Sequence, residues 1–527
     1  MAVQVRVKLS RLRHRLDAMY YHPRFLANEE RLTRSGTARR QVRELVSGGR
    51  RAVYFGTTTH ERESAPSTWV PFLTADDLGD DGFYLDQSPR RLVSPEFAAR
   101  YPNGWLRPNE ILVKVKGPNQ IAAYNPATSQ FRTLVSGTLW GALVRNNVVD
   151  AHFLLTALSC PYAAMARERL RTNTNVEFLA AEDLLALELP YLNETRAQTY
   201  IGDKVRQAER LRECARLREA KIDDHFRVLT SSLPPPRKAW TVGASIVESY
   251  RLNAGHYDAM VLGMLDNAAK ISNLVPLGDI VGDRGIKGGA TPLGADYPNE
   301  GVFFVRVQNV RPYRLDLGDS AYIDAETDKI LKRSRCANGD IILGITGYPG
   351  TASLVMDEDL PVNINQHSVR FNTDGSLTPE YVTAAINSAF VQKQVDRLAI
   401  GGTRDALDYP SVRNLQIPVL GDAIVQEVTK CVSVANAAVR ASSRLTTAAK
   451  HLVEVLIDGK VTETDLVQAQ EALERHDRGP ERALLARLTA QGMDVPDAKP
   501  LFPDLDKLYA LLDQDDGESP GGDAQGT

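Results

Sequence analysis

Few side chains here are spaced for covalent chemistry. The nine histidines never fall in the H-x-x-x-H or H-E-x-x-H spacing that sets two imidazoles on one helix face around a hydrolytic metal. The nearest string to a phosphate-cradling loop, Gly282-Asp283-Arg284-Gly285-Ile286-Lys287-Gly288-Gly289, has its glycines and lysine in the wrong order. It reads either as a flexible loop able to follow a nucleic-acid backbone or as a plain surface turn. The proline run Pro234-Pro235-Pro236 lacks the Asn or Asp and the Tyr of an adenine methyltransferase substrate motif, and no S-adenosylmethionine-type glycine strand precedes it. Asp357, Glu358 and Asp359 suit a solvated acidic turn better than a metal. The expectation is a chain that is not itself an enzyme and holds no cofactor or metal.

What the chain does offer is donors able to tell base pairs apart in a groove, where Arg and Asn or Gln bond in pairs to base edges. Arg306, Gln308, Asn309 and Arg311 alternate around Val305, Val307 and Val310, as at a strand-to-loop exit. Lys332, Arg333 and Arg335 form the densest basic cluster nearby, either groove contacts or a solvated hairpin tip. Gly402, Thr403 and Arg404 offer a phosphate contact or simply begin a helix. Earlier in the chain, Thr57, Thr58, Thr59, His60, Arg62, Lys114 and Lys116 are comparable donors. The net charge of -3, from 63 basic and 66 acidic residues, means that bulk electrostatics does not hold a polyanion. A local field, or a basic partner subunit, has to supply the phosphate contacts.

These donors need scaffolding, and 527 residues exceed what one core organises, so two or more domains are expected. Cys160, Cys214, Cys336 and Cys431 are scattered without a CxxC pair, which favours a reducing, cytoplasmic setting over a disulfide scaffold. The basic start, Met1 to Leu12, lacks a signal-peptide core, and no run of about 18 apolar residues suggests a membrane span.

The chain also describes itself twice. Arg15-Leu16-Asp17-Ala18 with Tyr21 returns as Arg251-Leu252-Asn253-Ala254 with Tyr257, and each copy precedes a segment able to lead into a sheet, Val53-Tyr54-Phe55-Gly56 or Val275 to Ile280. Arg107-Pro108-Asn109-Glu110-Ile111-Leu112-Val113 is answered by Cys336-Ala337-Asn338-Gly339-Asp340-Ile341-Ile342-Leu343, each a polar turn feeding an apolar strand. Leu187-Glu188-Leu189-Pro190-Tyr191-Leu192 is answered by Leu415-Gln416-Ile417-Pro418-Val419-Leu420. The same order of matches points to duplication.

Each copy closes on a long helix. Asp203 to Leu229 contains neither Gly nor Pro and places Ile201, Ala208, Ala215, Ile222 and Leu229 at heptad spacing, before Pro234-Pro235-Pro236 ends it. Asp422 to Leu456 carries the cleaner pair of lines, with Ile424, Cys431, Ala438, Leu445 and Leu452 on one. Such stripes want a partner, which either an ordinary helical bundle domain or an antiparallel spacer supplies; the repeated β-rich lobes favour the spacer, with Ile222 and Leu445 buried and Arg212 and Lys450 exposed. The divisions drawn are residues 1–195, 196–233 (helix), 234–420, 421–458 (helix), 459–513 as a small helical extension, and 514–527 as a disordered tail. Helices are expected in the extension around Glu463 to His476, Gly479 to Gln491 and Leu505 to Leu512.

In the second half, Gly339-Asp340-Ile341-Ile342-Leu343-Gly344-Ile345-Thr346-Gly347, then Pro361-Val362-Asn363-Ile364-Asn365-Gln366-His367, a helix from Pro379 to Leu398, Gly401-Gly402-Thr403-Arg404 and Leu415 to Val419 follow in order. This order resembles the target-recognition domain of type I restriction-modification specificity subunits, and Leu16 to Tyr21 with its echo at Leu252 is similar to the family's lead-in to each domain. In the first half, Leu139 to Val148 stands where the family has its N-Q-H run. The resemblance implies an α/β chain of two pseudo-repeated recognition domains separated by long antiparallel coiled-coil-like helices. Each domain reads one half of a bipartite double-stranded DNA target. Chemistry then belongs to partners: DNA methyltransferase subunits using S-adenosylmethionine and, in a complete complex, an ATP-driven restriction subunit. Asn365, Gln366 and His367 fit a role in holding the domain's own backbone better than one in base reading. The competing reading is a protein-binding adaptor in a phage-defence assembly.

Overall fold

The computed structural model describes the chain apart from residues 1–11, 13–14, 16, 63–65, 79–84, 86–88, 118–121, 127–131, 173–176, 232–238, 245–246, 248–252, 293–296, 319, 402–404 and 518–527. Pro234-Pro235-Pro236, Arg251-Leu252 and Arg404 therefore lie outside the described residues. The chain divides into two compact units, Met1–Arg212 with Arg440–Thr527, and Glu213–Val439. The division falls inside both long helices.

In the unit Glu213–Val439, the apolar run that follows the polar turn becomes the strand Ile341–Gly344. It is antiparallel to Ser368–Phe371 on one side and to Ala352–Leu354 on the other. Alternation along a strand sends successive side chains to opposite faces. Ile341 and Leu343 join a core with Val369, Phe371, Tyr381, Phe390 and Ile417, while Ile342 joins Phe303, Val305, Val362 and Ile364. Both faces are covered, which is why this strand is a continuous apolar run. The second cluster centres on a parallel pair, Val302–Val305 with Val362–Ile364. The expected single helix from Pro379 to Leu398 is two, Pro379–Asn387 and Ala389–Leu398. Ser388 is extended between them, and its hydroxyl accepts from the Val391 N–H to start the second.

The unit formed by Met1–Arg212 and Arg440–Thr527 is built in the same order. Val46–Arg50, Leu139–Val144, Glu110–Lys114 and Ala122–Asn125 lie side by side and antiparallel. This is the sequence of neighbours that Lys287–Gly288, Ser368–Phe371, Ile341–Gly344 and Ala352–Leu354 follow in the other unit. Val70–Leu73 and Leu134–Val135 make the parallel pair. Two helices again follow, Ala151–Ser159 and Pro161–Leu170, split at an extended Cys160. A short antiparallel pair closes each unit: Arg39–Gln41 with Glu188–Pro190, and Asn273–Pro276 with Gln416–Val419.

The polar turns matched in the sequence share a chemistry that the sequence did not announce. Asn109 and Gly339 both adopt positive φ, 59° and 80°, a region that Gly and Asn tolerate best. The next residue in each is a buried carboxylate. Glu110 accepts from the Arg107 N–H at 2.9 Å and from the guanidinium groups of Arg50 and Arg107. Asp340 accepts from the Ala337 N–H at 2.9 Å and pairs with Arg284 at 2.5 Å. Burial pushes the Asp340 carboxyl upward, and the Ala337 amide and Arg284 hold it down.

The long helices span Thr195–Arg227 and Asp422–Ile457. Within Glu213–Val439 their segments run antiparallel, because Glu427 bonds Lys221 and His225 while Arg314 bonds both Glu219 and Asn436. Ala208, Ala215, Ile222, Cys431, Ala438, Leu445 and Leu452 are all buried. Leu229 is buried too, but in the turn after the helix, and Ile424 is only partly covered. Arg212 and Lys450 correct the expectation of exposure: both are partly buried, and burial lowers the Arg212 pKa to about 10 and the Lys450 pKa to about 8.

That correction has a pH signature. An unfolded chain, with lysine near 10.5, holds more protons than the folded one between pH 8 and 10.5, so stability rises with pH across that window and the penalty is fullest below it. Lys450→Met is expected to raise the thermal midpoint at neutral pH and to flatten the gain between those limits. Identical melting curves for variant and parent at neutral pH would contradict the assignment.

The extension contains Glu463–Glu474, Gly479–Ala486 and Leu505–Gly517. A hairpin, Leu488–Thr489 with Gly492–Met493, replaces the second half of the helix expected to reach Gln491. The last helix runs into the stretch expected to be disordered from residue 514, and residues 518–527 are outside the description. The extension docks inside its own unit through a buried ion pair, Lys204 with Glu481, and through Arg196 with Glu471 and Glu474.

Candidate nucleic-acid interface

Because Val302–Val305 and Val362–Ile364 are parallel, they deliver Arg306 and Asn365 to the same edge of their unit. Ile341–Gly344 ends there too, since Gly344 pairs with Ser368 and the Ile345 N–H bonds the His367 carbonyl at 2.9 Å. Three turns meet as a result. In the first, Asn309 is buried; its side chain accepts from the Arg306 N–H at 3.0 Å and donates to the Asp316 carbonyl at 3.0 Å. Asn309 thus shapes the turn and is withdrawn as a base reader, while Gln308 is exposed and Arg306 partly so. In the second, buried Asn365 accepts from the His367 N–H at 3.1 Å, leaving Gln366 exposed beside His367 and Thr291. The third, Ile345 to Thr351, carries Tyr348, and its Gly347 N–H bonds the Asp405 carbonyl.

The remaining basic candidates lie elsewhere. Lys332, Arg333 and Arg335 sit toward the opposite end of the strands: the Cys336 N–H bonds the Val362 carbonyl, and the Arg333 and Arg335 carbonyls accept from Arg370 and Arg284. Lys332 and Arg333 are exposed, and Arg335 pairs with the buried Asp328. Arg311 lies on Val310–Arg311, the far edge strand of the six-stranded sheet, 3.4 Å from Asp316. Lys287 and Gly288 are a strand rather than a flexible loop or surface turn, and Gly288-Gly289 serves close packing: a Cβ at Gly289 would lie 2.2 Å from the Asn365 carbonyl oxygen.

In the other unit the same strand ends enclose a cleft of about 610 Å³. The first turn is Thr74 to Asp77, where the Asp77 carboxylate accepts from the Thr74 N–H at 2.7 Å, as Asn309 does for Arg306. The second is Ser136-Gly137-Thr138, where the Ser136 hydroxyl accepts from the Thr138 N–H and the Val115 N–H bonds the Thr138 carbonyl at 2.9 Å, matching Asn365 to His367. A Cβ at Gly137 would lie 2.6 Å from the Ala52 carbonyl oxygen, so only glycine fits. The third is the end of Glu110–Lys114, which brings Lys114 and Lys116. Arg51 and Arg91 complete four cations against one acid, Asp76. Tyr54 backs the wall, its hydroxyl donating to the Val135 carbonyl at 2.6 Å, and burial keeps its phenol well above its ordinary pKa and protonated.

Of the donors expected here, Lys114 and Lys116 line the cleft together with Thr57 and Thr59, but Thr58 does not. His60 lies on His60–Glu61 with its ring 4.7 Å from that of Trp69, and the Arg62 guanidinium donates to the Pro89 carbonyl at 3.1 Å. Val53 to Gly56 is a loop ahead of the strand His60–Glu61. Sequence reasoning missed Arg51, Arg91 and the Ser136 to Thr138 turn. It placed the counterpart of Asn365 to His367 at Leu139 to Val148, whereas Leu139–Val144 is the strand that follows the turn. The available signal was the small polar triplet just before the strand, as on the other copy.

Among the described residues, no group of three or more His, Cys, Asp or Glu is placed to hold a metal, and no helix is long and apolar enough to cross a membrane. No family model and no curated protein matches the chain. In structure the chain is similar, over most of its length, to type I restriction-modification S subunits. The M. genitalium S subunit shares 13% identity at a TM-score of 0.39, over 80% of this chain and 94% of that one. The HsdS subunit of Thermoanaerobacter tengcongensis shares 14% identity at a TM-score of 0.24, over 84% and 97%.

Proposed function

We propose that the chain is the sequence-reading subunit of a type I-like restriction-modification or related phage-defence complex acting in the cytoplasm. Each unit reads half of a bipartite duplex target, and the chain directs a partner adenine methyltransferase, which binds S-adenosylmethionine, and a nuclease subunit where one is present. The observation that carries this reading is the recurrence, at equivalent strand ends of both units, of three turns, two of them in each unit fixed by a side-chain-to-backbone hydrogen bond, with cations lining one unit's cleft and Arg, Gln and His standing at the other's turns. Fixed turns with exposed donors are what groove reading needs, since phosphate contacts set register and amide or guanidinium pairs select bases.

Selection from a random duplex library, with and without the methyltransferase partner, is expected to enrich a gapped motif. A library that stays random under both conditions rejects the reading. Lys114→Ala and Lys116→Ala should weaken binding to all sequences alike and each reduce the salt slope by about 1, whereas Gln366→Ala should relax one half of the motif. The net charge of -3 favours the adaptor reading; purification from the native host with a protein partner other than a methyltransferase, and no DNA selectivity, would establish it instead.

A further inference from the structure

Phe55 and Tyr348 are the two most exposed aromatic side chains among the described residues, at 78% and 79%. Each projects from a backbone that is held. The Phe55 N–H donates to the Tyr101 hydroxyl at 3.1 Å, that hydroxyl donates to the Phe55 carbonyl at 3.3 Å, and Gly56 turns the chain at φ 65°. Tyr101 is itself packed edge-on against Tyr54, 4.8 Å between ring centres. Val53, Tyr54 and Thr57, on either side of Phe55, line the cleft that holds Arg51, Arg91, Lys114 and Lys116. Tyr348 stands on a loop bounded by Gly347 and Gly350, at φ 90° and 101°, and pinned by bonds from the Gly347 N–H to Asp405 and from the Gly350 N–H to Gly344. A Cβ on Gly344 would lie 3.2 Å from the Tyr348 carbonyl oxygen and 3.6 Å from the Val307 side chain, so this loop adjoins the turn that carries Arg306 and Gln308.

Exposed apolar side chains occurring singly are ordinary on protein surfaces. A rigidly mounted aromatic beside an interface rich in donors, once in each unit, is a different arrangement. Aromatic faces gain from stacking on any base, and apolar wedges enter base steps where cations already hold the phosphates. We propose that Phe55 and Tyr348 stack on bases of the bound duplex and unstack a base step within each half-site, so that local deformability contributes to target choice. This rests on the DNA-recognition reading above and adds to it a contact that the polar donors do not supply.

The test uses the full chain and a labelled duplex of the selected target, or mixed sequence at low salt where selection yields none, carrying 2-aminopurine at successive positions. Binding is expected to raise 2-aminopurine emission at one step per half-site. Phe55→Ala and Tyr348→Ala should each weaken binding roughly ten-fold, abolish the rise in their own half-site and leave the salt slope and thermal melting unchanged. Phe55→Trp should restore both signals. If the parent chain binds no duplex under any condition, the recognition reading fails and takes this proposal with it. If the parent binds but neither variant changes affinity or emission, the stacking proposal is overturned while recognition stands. Loss of methyltransferase co-purification with DNA binding intact would instead make these rings protein-docking residues and would equally overturn it.

Discussion

Leu445→Asp is expected to destabilise its unit by roughly 4 kcal/mol or more, among the largest effects of a single substitution in this chain. Leu445 is fully buried on the helix Asp422–Ile457, and Ala441, Ala448, Ala449 and Leu452, its neighbours at helical spacing, are buried with it. A carboxylate at this fully buried position is cut off from bulk water, so it must either take up a proton or pull the helix away from its packing. Urea unfolding followed by circular dichroism should show an early loss of helix, and Leu445→Met, which keeps the volume, should cost little. Under the proposed function, affinity for a gapped site is expected to fall more than affinity for either half-site. Unchanged stability together with unchanged preference for the gapped site would contradict both expectations.

The second large effect is expected at Glu481. Its carboxylate and the Lys204 ammonium are both buried, with the ammonium 4.9 Å from the Tyr200 ring centre. Removing one member of such a pair strands the other charge, typically at about 3–5 kcal/mol, whereas replacing both by apolar groups of similar volume is often neutral. Glu481→Gln should therefore release the extension, read as faster hydrogen exchange across residues 463–512, and Lys204→Met with Glu481→Leu should restore protection. If Glu481→Gln exchanges like the parent, the pair is not what docks the extension. Arg196 with Glu471 and Glu474 is too exposed to take its place.

Much of the architecture was legible because it rests on local rules. The polar turn before Ile341–Gly344 and its counterpart before Glu110–Lys114 were visible as matching strings, a polar turn ahead of an apolar run, whereas the left-handed residue and the buried carboxylate in each appear only in the structure. The long helices were visible because 3.6-residue periodicity and the absence of Gly and Pro are sequence properties. Ile222 and Leu445 were read as buried for the same reason. Heptad position alone, however, placed Arg212 and Lys450 in water. It cannot anticipate what covers a helix's flank, and long side chains are easily overlain by elements distant in the chain.

The interface divided differently. The sequence by itself determined that both halves carry base-reading and phosphate-reading side chain types, and in what order. Only the tertiary structure decided which of them share a surface. Arg306 and Gln366 come together because two strands far apart in sequence are parallel, while Lys332 and Arg333, nearer to Arg306 along the chain, are carried to the other end of the strands. Asn309 and Asn365 have the residue type of base readers, but burial and backbone hydrogen bonds commit both to shaping turns. Arg51, Arg91, Lys114 and Lys116 become one cationic cleft only when separate strands close around it. Composition and local spacing report what a side chain is able to bond; the pairing of distant strands fixes what stands next to it, and that information is not local to any stretch of the chain.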